Sequence, residues 1–305
     1  MPQGDAEAAK VAVIGLGSMG YGMATSLARK GLAVTGTDVR AETVARFAAE
    51  HGTGAATPAE AAAGADILVV VVVNAEQTRQ VLFGENGALA AAPPGAVVVS
   101  CATLAPALAR ELAGETEARG YLYLDAPISG GAQRAAEGAL TILASGTAEA
   151  FAKARPALDA MAGKLYELGA DVGTGSSFKI VNQLLAGVHI AAACEAMALA
   201  AKLGLDLAKV YEVITASAGN SWMFENRMPH VLDGDYRPRS AVDIFVKDLG
   251  IVSDISRSER LPAPIAASAL QMFLMTSAAG MGRDDDASVA KLYAKIAGLK
   301  LPGGD

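Results

Sequence analysis

The chain has little cysteine, little histidine and no surplus of positive charge. Its two cysteines, Cys101 and Cys194, lie far apart in apolar surroundings, so they read as buried thiols in a reducing compartment and not as a disulfide scaffold. His51, His189 and His230 show no H-E-x-x-H spacing and no C-x-x-C occurs, so a protein-held metal lacks its ligands and none is expected. A formal net charge of −7 argues against a phosphate-backbone partner, since nucleic-acid binding usually shows a basic face. The opening MPQGDAEAAK lacks the apolar core of a signal peptide. The longest aliphatic run, ILVVVVV at 67–73, is far short of the roughly 20 residues that cross a bilayer. A cytoplasmic chain with no nucleic-acid or membrane partner is expected.

What is present is apolar and rhythmic. With 305 residues, 52% of them hydrophobic and 19% charged, the chain is a compact protein with room for two domains of about 150 residues each. In the first half VAVIG (11–15), LAVTGTD (32–38), DILVVVVV (66–73), AVVVSC (96–101) and YLYLD (121–125) read as strands buried on both faces. Helical signals separate them. Thr57-Pro58-Ala59-Glu60 is a capping pattern with proline at the first helical position, Leu104-Ala105-Pro106 precedes another helix, and Gly31 stops the first. ALTILAS (139–145) and KLYEL (164–168) close the sheet. Repeated βα units predict an α/β, doubly wound sheet, whose ligands bind beyond the carboxyl ends of the strands.

A glycine fingerprint falls at such an end. Gly15-Leu16-Gly17-Ser18-Met19-Gly20 follows the first strand and opens a helix, where glycines permit a tight turn and close approach of backbone to a pyrophosphate. Asp38 stands 18 residues past Gly20, near the roughly 20 expected of a ribose-binding carboxylate. A turn aspartate would also fit that position. A carboxylate there accepts from the ribose 2′-hydroxyl and repels a 2′-phosphate, so NAD is expected over NADP. Arg40 pulls the other way: it could meet a phosphate or stack on adenine.

The second half has no βαβ rhythm. A Rossmann-type domain over 1–173 and an all-α domain over 174–305 are expected, joined by a long interdomain helix within 174–204. LDLAKVYEVITASA, AVDIFVKDLGIVSDISRSE, PIAASALQMFLMTSA and ASVAKLYAKIAG follow as helices, with NSWMFENR as a polar-aromatic element between two of them. Asp284-Asp285-Asp286 reads as helix-start charge. On the long helix Lys179, Asn182 and Gln183 share a face with Ala186, Ile190 and Met197. Lys179 is the lone full charge between Asp171 and Glu195. Burial and the helix N-terminus both push a lysine toward the pKa range useful for proton transfer, but a lysine snorkelling from a helix end fits as well.

Four motifs then coincide: GLGSMGYGMA (15–24), DAPISGGAQRAAEGALTILASG (125–146), GTGSSFKIVNQ (173–183) and FVKDLGI (245–251). In that order they make the chain, from Val11 to about Gly298, resemble the 3-hydroxyacid dehydrogenases related to 3-hydroxyisobutyrate dehydrogenase. The stretch NSWMFENRMPHVLDGDY is most similar to the members that act on L-threonate. The resemblance implies Lys179 as general acid/base and Ser129, Gly130 and Gly131 as holders of the substrate carboxylate. It implies Asn182 as the group that orients lysine and substrate oxygen. Val73, Asn74 and Thr103 would line the nicotinamide side of NAD, and Lys247 would close over the cofactor. Gln183 departs from the second Asn of many relatives while keeping an amide donor and acceptor.

The expected activity is NAD-dependent oxidation of a small anionic hydroxy acid, L-threonate first, by a homodimer or homotetramer. The alternatives are an NADPH-dependent reductase of a short semialdehyde such as glyoxylate or tartronate semialdehyde, 3-hydroxyisobutyrate oxidation, and a dinucleotide-binding module without chemistry. An apolar-flanked lysine speaks against the last.

Overall fold

The computed structural model describes residues 9–302. Its first half is a nine-stranded sheet whose strands alternate with helices in chain order. These are β1 (Lys10–Ile14), α1 (Gly20–Arg29), β2 (Ala33–Thr37), α2 (Ala41–Glu50), β3 (Thr53–Gly54), α3 (Pro58–Ala62), β4 (Ile67–Val70) and α4 (Ala75–Phe83). Then come β5 (Val97–Ser100), α5 (Pro106–Glu117), β6 (Leu122–Asp125), β7 (Ile128–Ser129), α6 (Gly131–Glu137), β8 (Leu140–Gly146), α7 (Ala148–Met161) and β9 (Ala162–Glu167).

The sheet order is β3-β2-β1-β4-β5-β6-β8-β7, with β9 beside β8. The six strands from β3 to β6 are parallel, and β8 runs antiparallel to β6 and β7. Side chains leave alternate faces of a strand, and both faces here are apolar. Val11, Val13, Val69, Val97 and Val99 join one core, and Ala12, Ile14, Leu68, Val70 and Val98 the other. Each such valine, leucine or isoleucine contributes about 1.5–3 kcal/mol on burial, which is why the strands are uninterrupted β-branched runs.

Local chemistry sets the helix starts. Thr57 Oγ1 accepts the Glu60 N–H at 3.1 Å and Glu60 Oε2 accepts the Ala56 N–H at 2.9 Å, so the expected capping pattern forms with its reach extended one residue upstream.

The remaining helices are α8 (Thr174–Lys202), α9 (Leu207–Thr215), α10 (Trp222–Asp233), α11 (Val242–Ser258), α12 (Pro264–Thr276) and α13 (Val289–Ala297). The chain divides into two compact units, the first ending at Lys179 and the second beginning at Ile180, so the first turns of α8 belong to the sheet unit. The helical unit has its own core, which includes Ile190, Met197, Phe245, Leu249 and Phe273.

The polar-aromatic element around Trp222, expected between helices, is itself a helix, because Ser221 caps it by accepting the Phe224 N–H at 3.0 Å, and Phe224, Met228 and Val231 form a buried stripe. Pro229 lies inside this helix and leaves the Glu225 carbonyl without its i+4 donor. The Tyr211 hydroxyl donates to that carbonyl at 3.1 Å.

Two helical stretches, α8 and Pro264–Met281, are long and apolar enough by composition to cross a bilayer. Half of α8's apolar window is nonetheless buried in the fold, as in a core helix.

Candidate active site

Apart from Lys179 in α8, the candidate residues of the sheet unit follow the carboxyl ends of parallel strands. The glycine turn follows β1, Asp38 follows β2, Val73 and Asn74 follow β4, Thr103 follows β5, and Ser129, Gly130 and Gly131 come shortly after β6. These strands are neighbours in the order β2-β1-β4-β5-β6. The chain leaves β1 toward β2 and later returns on its other side with β4, so the glycine turn stands where the strand order reverses.

The turn is shaped for an approaching anion. Gly15 has a φ of +99°, and a Cβ there would stand 2.4 Å from the Val71 carbonyl oxygen. A Cβ at Gly20 would come within 1.8 Å of the Gly15 carbonyl oxygen, so the turn closes tightly on the start of α1. Gly17 faces open space instead. No side chain caps α1, although its Tyr21 N–H already donates to the Gly17 carbonyl at 3.1 Å. A dinucleotide pyrophosphate fits that combination of open backbone and positive helix terminus.

Asp38 completes this end of the site. Its Oδ2 accepts the Leu16 N–H at 2.7 Å, and its Oδ1 accepts from the Arg40 N–H and Nε at 3.0 Å each. Burial pushes the carboxyl up, but the hydrogen bonds from Arg40 and Leu16 outweigh it and hold Asp38 below its ordinary range. Arg40 also donates to the Leu16 carbonyl at 3.3 Å. Leu16, Gly17, Ser18, Arg40, Thr43 and Arg46 border one groove.

Farther along the edge, Val73 is exposed and donates its N–H to Gln77 Oε1 at 2.9 Å. Asn74 Oδ1 caps α4 by accepting the Gln77 N–H at 2.8 Å, which commits that oxygen to the helix. Thr103, Ser129, Gly130 and Gly131 are half-buried. Gly130 and Gly131 take φ values of +137° and +78°, a backbone that disfavours any other residue type.

Lys179 lies in the second turn of α8 and is 6% exposed, so it is a buried cation and not a solvated helix end. The start of α8 is held from the sheet. Asp125, the last residue of β6, accepts the N–H groups of Gly173 and Ser176 and the Ser176 hydroxyl. Sequence reading gives Asp125 no role, because its partners lie about 50 residues downstream.

In the helical unit the side chains form a relay of hydrogen bonds. Asn182 Nδ2 donates to Gln183 Oε1 at 2.9 Å, Gln183 Nε2 donates to Asp248 Oδ2, and Lys247 Nζ pairs with Asp248 Oδ1. Asp248 is fully buried. Gln183 therefore occupies a defined place, with its amide serving as both acceptor and donor. The acidic run is also more than helix-start charge. Asp285 does cap the turn before α13, yet it is buried against His230 Nδ1 at 2.8 Å, and Asp286 is buried against the Arg227 guanidinium at 2.6 and 3.1 Å.

A parallel sheet ordered in this way, with a glycine turn after β1 and a carboxylate at the end of β2, defines a dinucleotide-binding domain. Residues 10–169 match the NAD binding domain of 6-phosphogluconate dehydrogenase, and residues 173–293 match the NAD-binding domain of NADP-dependent 3-hydroxyisobutyrate dehydrogenase. The chain is 54% identical to an L-threonate dehydrogenase of Cupriavidus necator over 293 residues, covering 96% of this chain and 98% of that one. An L-threonate dehydrogenase of Escherichia coli K12 is 50% identical, with 96% of each chain covered. A crystal structure of 3-hydroxyisobutyrate dehydrogenase from Salmonella typhimurium superposes with a TM-score of 0.89 at 51% identity, covering 92% of this chain and 99% of that one. The chain belongs to the 3-hydroxyisobutyrate dehydrogenase family of 3-hydroxyacid dehydrogenases. It is a dehydrogenase that oxidises the CH–OH group of a small hydroxy acid with NAD(P).

Proposed function

We propose that this enzyme oxidises L-threonate with NAD, and that Lys179 takes the proton of the reacting hydroxyl. The observation that carries the chemistry is the buried lysine on a helix whose start is anchored to the carboxyl edge of the sheet. A lysine in that setting can act as base in oxidation and as acid in reduction. The substrate rests on five relatives, 47–54% identical over nearly the whole chain, that are L-threonate dehydrogenases.

NAD, when bound, supplies the hydride acceptor. The chain's own residues do the rest. The glycine turn from Gly15 to Gly20 receives the pyrophosphate, and Asp38 receives the ribose hydroxyls. Val73, Asn74 and Thr103 border the nicotinamide. Ser129, Gly130 and Gly131 hold the substrate carboxylate through a hydroxyl and backbone N–H groups, and Asn182 orients the hydroxyl that gives up its proton. Exposed apolar side chains at Val181, Leu185 and Leu199 of α8 and at Ile265 of α12 support a homodimer or homotetramer.

Initial rates with NAD and NADP, over a panel of hydroxy acids of four carbons and fewer, test the reading. L-Threonate with NAD is expected to give the highest kcat/KM. Lys179→Ala is expected to lose about 10²–10⁴ in kcat while NAD binding stays. A variant that kept the wild-type rate would remove Lys179 from proton transfer.

Arg40 and Arg46, bordering the groove beside Ser18, favour a second reading in which a 2′-phosphate is bound and a short semialdehyde is reduced with NADPH. A kcat/KM for NADP above that for NAD would establish it.

A further inference from the structure

The helix that carries Lys179 takes its place from the sheet. Asp125 on β6 is 1% exposed, and its register partner on the antiparallel β8 is Ser145. Asp125 Oδ2 accepts the N–H groups of Gly173 at 3.1 Å and Ser176 at 2.8 Å, and Oδ1 accepts the Ser176 hydroxyl at 2.8 Å. Ser145 Oγ accepts the Gly175 N–H at 3.0 Å. N–H groups at a helix start have no carbonyl of their own to meet. Here two side chains from paired strands receive them, in place of a cap carried by the helix.

The approach is as close as backbone allows. Gly173 turns the chain with a φ of +95°. A Cβ on Gly175 would stand 2.3 Å from the Leu143 carbonyl oxygen and 2.8 Å from that of Asp125. So the first turn of α8 leans directly on the main chain of β6 and β8, and the GTGS spacing before Lys179 is a steric requirement.

Every contact named for Asp125 is one it accepts, which fits a carboxylate. Burial outweighs the Ser176 and Gly173 donors and leaves its pKa above the ordinary carboxylate value. Its buried neighbours Cys101 and Tyr123 stay uncharged, because burial first and the Asp125 charge second raise both, with Cys101 pushed up to about 12. A buried carboxylate costs folding free energy that a serine or asparagine cap would not, so its retention calls for a use. Long side chains on a helix run back over the preceding turn. Lys179 stands three residues after Ser176, within a turn of the residues that Asp125 holds.

We propose that Asp125 is a positioning residue for Lys179, acting through the first turn of α8 with Ser145 as its partner. The inference rests on Lys179 being the proton-transfer group.

Asp125→Ala, Asp125→Asn and Lys179→Ala are to be made in the full chain and assayed with NAD and L-threonate. The readouts are kcat, KM, NAD affinity by fluorescence titration, and amide hydrogen exchange of the peptide covering 173–179. Asp125→Ala is expected to lower kcat about 100-fold with NAD affinity within about threefold of wild type, and to speed exchange at 173–176. In Asp125→Asn the amide oxygen can accept the two N–H groups while its NH₂ donates to Ser176 Oγ. That variant is expected to recover kcat to within about tenfold of wild type.

Wild-type kcat in folded Asp125→Ala, at whatever cost in melting temperature, would overturn the proposal, as would equal losses in the Ala and Asn variants. If Asp125→Ala does not fold, Ser145→Ala carries the test. Removal of the Gly175 acceptor is expected to lower kcat about five- to tenfold at unchanged NAD affinity, and an unchanged kcat would overturn the proposal. Lys179→Ala separates the two ideas. An active Lys179→Ala rejects the proton-transfer role, whereas an inactive one beside a wild-type-like Asp125→Ala rejects the positioning role alone.

Discussion

The backbone N–H of Leu16 donates to the Asp38 carboxylate at 2.7 Å, which joins the glycine turn after β1 to the acid after β2. The two parts of the fingerprint, 22 residues apart in sequence, are one hydrogen-bonded piece. Asp38 therefore supports the turn. Asp38→Ala is expected to weaken NAD binding about 10- to 100-fold, or roughly 1.4–3 kcal/mol, and to raise kcat/KM for NADP relative to NAD. Calorimetric titration and initial rates measure both, and an unchanged NAD affinity would take Asp38 out of the site.

The Arg227–Asp286 pair is a stability prediction. Both groups are buried and joined by two hydrogen bonds, so removal of one leaves the other charged in the core. Arg227→Met is expected to cost about 3–5 kcal/mol in urea unfolding, and the double variant with Asp286→Leu to regain most of it. A double variant no more stable than the single one would refute this account.

Asp285 gives a pH prediction. Burial raises its pKa, but His230 and the N–H groups of Arg239 and Ala287 outweigh burial and hold it below the ordinary carboxylate range. The folded pKa is thus lower than the unfolded value of about 3.9. The stabilisation is in place above about pH 4 and is lost as pH falls through the folded pKa. Urea midpoints followed from pH 6 to pH 3 should fall at the acid end, and Asp285→Asn should flatten that fall. An equal slope in the variant would show that other carboxylates carry it.

The thiols should be silent. Cys101 and Cys194 are both fully buried, and burial lifts both above the ordinary thiol range, Cys101 to about 12. At pH 8 the thiolate fraction of Cys101 is then on the order of 10⁻⁴. A disulfide reagent should titrate neither cysteine in the native protein and both in urea, and fast labelling of either in the native protein would contradict the burial.

The parallel strands were legible because burial on both faces writes them as unbroken β-branched runs, as in Ile67–Val70. β3 and β7, at two residues each, are too short to carry a period. α10 was hidden by its composition: Trp222, Asn226, Arg227, His230 and an interior Pro229 obscure the Phe224, Met228, Val231 stripe. Recognising it would have required knowing that Tyr211 supplies the donor Pro229 lacks. The glycine turn and Asp38 were legible because their spacing is local. Asp125 was not, since its partners lie on the other side of β7, α6, β8, α7 and β9 in the chain. For the same reason the relay from Asn182 to Lys247 could not be read from either motif alone.

Among the described residues, all nine strands, the glycine turn and Lys179 itself precede Ile180, where the second unit begins. During synthesis, a chain that has emerged as far as Lys179 already holds every strand of the sheet. Strand pairing, the slow long-range part of folding, need not wait for the helical unit. The order of residues along the chain thus doubles as an order of assembly on the ribosome.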